Sequence, residues 1–239
     1  MTPFTKGITP LIESGVKGHR LINSKFPPIP LFDDVANADD FDALYELQAL
    51  TNPRLQNEVG NLKLIPLADI PFGIPGCHYA AASFTHVNPD GSRFSDGSFG
   101  LMYIGDSTTT AIAEVRYHQE MYWRNVTGLN YDRFIFKELR CKFDLNLGLD
   151  ASALEKGDPI YLSDDYSYSR KLGAEIKKGR EYSALKYHSV RHGDGVCYAL
   201  FTPKEIIEVI QSKHYEMIWD GRKISSINVI SGNQSLMQY

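Results

Sequence analysis

Apolar and polar positions alternate along this chain in two textures. In the N-terminal part, ANADDFDALYELQAL sets Phe41, Leu44 and Tyr45 on one face at helical spacing, with Leu47 at its edge. Asp39 or Asp40 would cap that helix, and Gln48 interrupts its stripe. A second short helix is expected from Asn52-Pro53, because proline suits a first helical turn, and Gly60 would end it. Residues 1–25 are polar and mixed. In the KFPPIPLF run that follows, Pro27, Pro28 and Pro30 impose an extended, polyproline-like lead-in. Residues 1–69 therefore read as a helical N-terminal extension.

From Ile70 the texture changes to short, aromatic-rich segments punctuated by glycine, which predicts strands. CHYAAASFTHV reads as one, followed by the turn NPDGS. In RFSDGSFGLMYIG, Phe99, Leu101 and Tyr103 fall on one face of a strand, and Met102 and Ile104 on the other. Asp106 or Ser107 then caps the helix STTTAIAEVRYHQEMYW. Alternation returns in RFIFKELRCKFDLNLGLD, and SYSRKLGAEIKKG predicts a helix closed by Gly179. ALKYHSV and VCYALF read as strands joined by RHGDG. Thr202, Pro203 and Glu205 form a capping-box pattern. HYEMIWDGRKISSINVI predicts a hairpin, with Asp220-Gly221 in a type I′ turn. The whole is an α+β fold with central strands flanked by helices, covering residues 70–230, with a short tail at 231–239.

Composition narrows the function. The chain is 43% hydrophobic and 23% charged, ample for a packed core, and its net charge of −4 argues against a nucleic-acid partner. A small anionic ligand needs only a few placed arginines. Cys77, Cys141 and Cys197 are widely spaced and odd in number, as expected in a reducing cytoplasm. The N-terminus carries no apolar leader, and no run approaches the ~20 apolar residues of a membrane span, so a cytoplasmic protein without a membrane partner is expected. G-x-G-x-x-G, Walker A, G-x-S-x-G and H-E-x-x-H motifs are all absent. His188 and His192 flank a turn and read as surface residues, so no metal site is expected.

The chemistry concentrates in RFSDGSFGLMYIGDSTTTAIAEVRYH. Its helix places Ala111, Glu114, Val115, His118 and Tyr122 on one stripe. A carboxylate in a largely apolar stripe is either paired or functional, because burying an unpaired charge costs several kcal/mol. Tyr103 precedes the helix and Arg93 lies in the glycine-rich approach. Two readings follow: an ordinary Arg93–Glu114 ion pair beside a core tyrosine, or a site.

This run resembles the signature of the RES-domain family, named for an Arg, a Glu and a Ser, with Arg93, Tyr103 and Glu114 at the expected positions. The second block, GAEIKKGREYSALKYHSVRHGDGVCYALF, is similar to the family's later signature and supplies Ser189. FPPIPLF, LTNPR and SFTH look like the longer branch of the family. Two departures stand out. A Tyr-Arg or Trp-Arg pair is common at the family's first strand, where this chain has His78-Tyr79, which leaves the second arginine of the pocket open and makes His86 a stand-in. Cys197 occupies a position where Asn is often seen.

The resemblance implies an ADP-ribosyltransferase-like fold and a toxin of a toxin–antitoxin pair. NAD+ would be a substrate and no cofactor would be retained. Breaking the nicotinamide–ribose bond passes through an oxocarbenium-like ribose, which a carboxylate at Glu114 can stabilise. Arg93 would hold the pyrophosphate or ribose, Tyr103 would stack on nicotinamide, and Ser189 would hydrogen-bond the ribose or the carboxamide. The acceptor of ADP-ribose is left open between water, phosphate and a protein target. The implied partner is a cognate helix-turn-helix antitoxin. The reading from another class is a non-catalytic nucleotide-binding or antitoxin-interaction module.

Overall fold

The computed structural model describes residues 7–26, 29–52 and 54–230. Its elements run β1 (Thr9–Asn23), α1 (Pro30–Asp33), α2 (Ala38–Ala49), α3 (Leu55–Val59), α4 (Cys77–Thr85), β2 (Met102–Gly105) and α5 (Thr108–Arg124). They continue with β3 (Asp132–Asp150), α6 (Ser167–Gly179), β4 (Ala184–His188), β5 (Val196–Leu200), β6 (Ile206–Trp219) and β7 (Ile224–Ile230). Among the described residues seven strands pair in the order β1-β2-β5-β4-β3-β6-β7, and β1 also pairs with β3. The first five strands thus close a ring of pairings. The α+β class expected from the two textures is the class observed, with helices packed around one sheet.

The N-terminal segment departs from its expected helical character. Thr9–Asn23 is a strand, antiparallel to β3 along most of its length, from Thr9 opposite Asp150 to Asn23 opposite Phe136. Its charged side chains and glycines hide the alternation. Gly18 is needed where β1 passes β2, since a Cβ there would sit 2.4 Å from the Ile104 side chain and 2.8 Å from the Gly105 carbonyl. The helices α1–α3 do lie before residue 70, but their buried Phe32, Phe41, Leu55 and Val59 share one apolar cluster with Met102, Ile104 and Phe143 of the sheet. The lead-in expected at Pro27 and Pro28, the helix start at Pro53 and the tail 231–239 lie outside the described residues; Pro30 begins α1.

A second correction concerns CHYAAASFTHV, which forms helix α4 rather than a strand. Three consecutive alanines favour helix, and Cys77, Ala80, Ala81 and Phe84 are buried at helical spacing. His78 and Tyr79 therefore sit on a helix, where the His78 ring and backbone N–H both engage the Asp33 carboxylate. Smaller corrections are local. Asn37, not Asp39 or Asp40, caps α2. Arg180, in the left-handed region at φ 55°, ends α6 just after Gly179. The β6–β7 connection spans Asp220 to Lys223, since Trp219 pairs with Ile224, so the turn has four residues rather than two.

Helix α5, which carries Glu114, is anchored at its start. Ser107 caps it by accepting from the Thr110 N–H, as one of the two expected caps. Below its first turn, the buried Glu138 carboxylate of β3 accepts from the Thr108 hydroxyl at 2.6 Å and the Ser212 hydroxyl at 2.7 Å, with His19 Nδ1 at 2.8 Å. Burial alone would raise the Glu138 pKa, but these donors bring it below the usual carboxylate range. The network ties α5 to β1, β3 and β6. Among the described residues no helix is long and apolar enough to cross a membrane.

Candidate active site

Strand β2 and helix α5 meet at Gly105, where a Cβ would lie 2.9 Å from the Ala111 amide. That close approach sets Tyr103 and Glu114 at fixed offsets on adjoining elements. The turn after β4 brings Ser189 to the same place. Its hydroxyl accepts from the Arg191 N–H at 3.1 Å and the His192 N–H at 2.9 Å, and donates to Glu114 Oε1 at 2.5 Å. With both lone pairs used by backbone donors, the serine proton has one destination, the carboxylate. The thiol of Cys197 on β5 approaches the same oxygen at 3.8 Å, and burial pushes that thiol pKa up. Among the described residues nothing hydrogen-bonds Glu114 Oε2, and no Lys or Arg pairs with this carboxylate.

The ion-pair reading of Arg93 is therefore not realised. Arg93 is buried, and its Nη1 donates to the carbonyls of Ile160 at 2.9 Å and Leu162 at 3.0 Å while its guanidinium lies 4.5 Å from the Tyr166 ring centre. Tyr103 braces the loop that carries it. The phenol pairs with the Ser92 hydroxyl at 2.8 Å and accepts from the Phe94 N–H at 3.0 Å, gripping both neighbours of Arg93. Burial lifts the Tyr103 pKa to about 12, so it stays protonated. Arg93, Tyr103 and Glu114 all act electrostatically on one buried phenol, Tyr187 of β4, whose pKa is raised by burial first and by Cys197 and Glu114 next. The structure thus gathers Arg93, Tyr103, Glu114 and Ser189 into one neighbourhood.

His86 belongs elsewhere. It caps the C-terminus of α4, with Nε2 3.2 Å from the Asn57 carbonyl, and lines a cavity of about 670 Å³. Tyr103 and Arg20 share that lining, whereas Glu114, Arg93 and Ser189 do not. Arg20 went unread in the sequence. It lies on β1 directly after His19, is half-buried, and donates from Nη1 to the Tyr103 carbonyl at 2.9 Å; desolvation lowers its pKa. Because β1 is the first strand of the fold, Arg20 is the arginine that the first strand carries. Strand texture in GHRLIN was the available signal. His188 and His192 turn to separate partners, the Ser152 carbonyl and the Thr110 hydroxyl.

Comparison with known proteins decides the family. The RES domain matches residues 70–220, well over half of the chain. This chain belongs to the RES-domain family. A protein described as "Uncharacterized protein y4oC", from Sinorhizobium fredii (strain NBRC 101917 / NGR234), is 29% identical over 212 residues, covering 87% of this chain and 84% of that one. The solved M. tuberculosis MbcT–MbcA toxin–antitoxin complex aligns at 12% identity over 52% of this RES chain and 73% of that chain, with a TM-score of 0.34, too low to carry a conclusion.

Proposed function

We propose that this RES protein is a cytoplasmic, NAD+-consuming toxin of ADP-ribosyltransferase-like type, which cleaves the nicotinamide–ribose bond and passes ADP-ribose to a protein, phosphate or water. The observation that carries the reading is the state of Glu114: among the described residues Ser189 fixes one oxygen, nothing hydrogen-bonds the other, and no Lys or Arg forms an ion pair with it. An oriented carboxylate with no ion-pair partner suits a reaction in which positive charge develops on ribose. The C1′–N bond breaks with its electron pair leaving on nicotinamide, which needs no general acid because it departs as a neutral base. Ser189 acts here through Glu114, holding it, rather than on the ribose itself. Tyr103 acts partly through the loop of Arg93. NAD+ is consumed, so it is substrate and not cofactor.

The test is incubation of the purified protein with NAD+, with and without phosphate, and identification of the products by mass spectrometry. Free nicotinamide must appear; intact NAD+ after long incubation would sink the proposal.

Two further outcomes are expected. Arg93→Lys keeps the charge but shortens the reach and removes the planar group that lies on the Tyr166 ring, so the bonds from one nitrogen to the Ile160 and Leu162 carbonyls weaken, at a cost of roughly 1–3 kcal/mol. Turnover per folded molecule should fall more than the melting temperature explains. Full turnover in a variant that melts far lower would make Arg93 scaffold only. Second, family membership implies a toxin held by a cognate antitoxin, an associational argument. Expression alone should arrest growth and deplete NAD+, and co-expression of the neighbouring antitoxin gene should restore both. Normal growth with unchanged NAD+ during verified soluble expression counts against it.

A further inference from the structure

Two guanidinium groups that share Tyr166 lack a carboxylate partner. Among the described residues neither Arg93 nor Arg191 takes part in any ion pair. Arg191 follows Ser189 in the same tight turn, and its N–H is one of the two donors that fix the serine. Its guanidinium lies 3.3 Å from the Tyr117 ring centre, and its Nη2 donates to the Ser163 carbonyl at 2.6 Å and to the Tyr166 hydroxyl at 3.3 Å. Its Nε is buried with no hydrogen-bond partner. Arg93 lies over the ring of the same Tyr166, 4.5 Å from its centre, and donates to the carbonyls of Ile160 and Leu162.

Both cations are therefore held by one segment, Ile160–Tyr166, through carbonyl oxygens and ring faces. Carbonyl dipoles compensate a guanidinium only in part, and desolvated charge left so is costly. The nearest acidic group on that segment, Asp164, is exposed and accepts instead from the Tyr117 hydroxyl at 2.8 Å. We infer that Arg191 and Arg93 form a diphosphate-binding subsite, in which the phosphate oxygens of the nucleotide replace the carbonyls of Ile160, Leu162 and Ser163. The inference rests on the NAD+-consuming reading for its ligand, and it adds Arg191 as the second arginine on the diphosphate. The planar forks of two arginines suit paired phosphate oxygens, and the position two residues from Ser189 sets the diphosphate beside the scissile ribose. Desolvation first, against Glu114 and with the two arginines, lowers the pKa of His118, one turn along α5.

The experiment is calorimetric titration of wild type, Arg191→Gln and Arg191→Lys with ADP, inorganic pyrophosphate and adenosine. Wild type should bind ADP and pyrophosphate. Arg191→Gln should weaken ADP at least about tenfold while leaving adenosine unchanged, and Arg191→Lys should recover part of the loss. Equal losses for ADP and adenosine would mark Arg191 as structural and overturn the subsite, as would ADP binding that ignores the substitution or a wild type that fails to bind pyrophosphate. If Arg191→Gln does not fold, Arg191→Lys decides alone by the same ADP-to-adenosine comparison. Arg191-dependent ADP binding in a protein that leaves NAD+ intact would uphold the subsite and overturn the NAD+-consuming reading.

Discussion

Glu114→Gln should abolish NAD+ consumption and leave the fold in place. Glutamine has the same shape and still offers Oε1 to the Ser189 hydroxyl, so the contact that orients the side chain can persist. The helix is held elsewhere, by the Ser107 cap and by the Thr108–Glu138 contact at its first turn. Among the described residues no cation is left unpaired by the change, because none forms an ion pair with Glu114. What disappears is the negative charge facing the ribose as it becomes oxocarbenium-like. Loss of one such electrostatic partner costs about 100-fold or more in rate, roughly 2.7 kcal/mol of transition-state stabilisation. Circular dichroism and melting curves would establish folding, and nicotinamide release measured by chromatography would give the rate. A folded Glu114→Gln protein that consumes NAD+ near the wild-type rate would remove Glu114 from the chemistry.

What could be read from the sequence was mostly local. Helix α5, its Ser107 cap, the β4–β5 pair and the β6–β7 hairpin each follow from spacing or turn residues within a short window. The order of Arg93, Tyr103 and Glu114 was legible for the same reason, since strand, turn and helix are contiguous. The stripe on α5 is only half realised: Ala111 is buried and Glu114 partly so, but Tyr122 is 66% exposed, because at the end of the helix its neighbour Trp123 is the residue that packs on the sheet. Strand β1 escaped because its partner β3 lies far along the chain and its charged residues face outward or into the site. Arg20 was lost with it. Arg191 sat in plain view inside RHGDG, but its meaning depends on Tyr117, Ser163 and Tyr166 arriving from two other elements. Helix α4 is hidden because its aromatic residues give a strand-like texture around the three alanines that favour helix.

The same contrast between local and distant causes makes Gly173→Ala informative. Gly173 lies inside α6, where local propensity alone says alanine should stabilise by about 1 kcal/mol. The fold says the opposite. A Cβ at this position would lie 1.8 Å from the Phe94 carbonyl oxygen, 2.7 Å from its carbonyl carbon and 2.9 Å from its Cβ. These are mostly backbone atoms of the residue that follows Arg93, and the Phe94 N–H is itself held by the Tyr103 phenol. The loop cannot yield without releasing that bond, so α6 must back away from the apolar cluster in which Leu172 and Ile176 are buried. Overpacking of this kind costs typically 1–3 kcal/mol and sometimes more, enough to outweigh the gain in propensity. Gly179→Ala, at the end of the same helix with nothing within 4 Å of its Cβ, serves as the control. The expected result is a clear fall in melting temperature for Gly173→Ala, with nicotinamide release falling further as Arg93 shifts, while Gly179→Ala melts at or above wild type. A Gly173→Ala protein that melts as high as the control would mean that α6 does not press on the Arg93 loop as the structure has it.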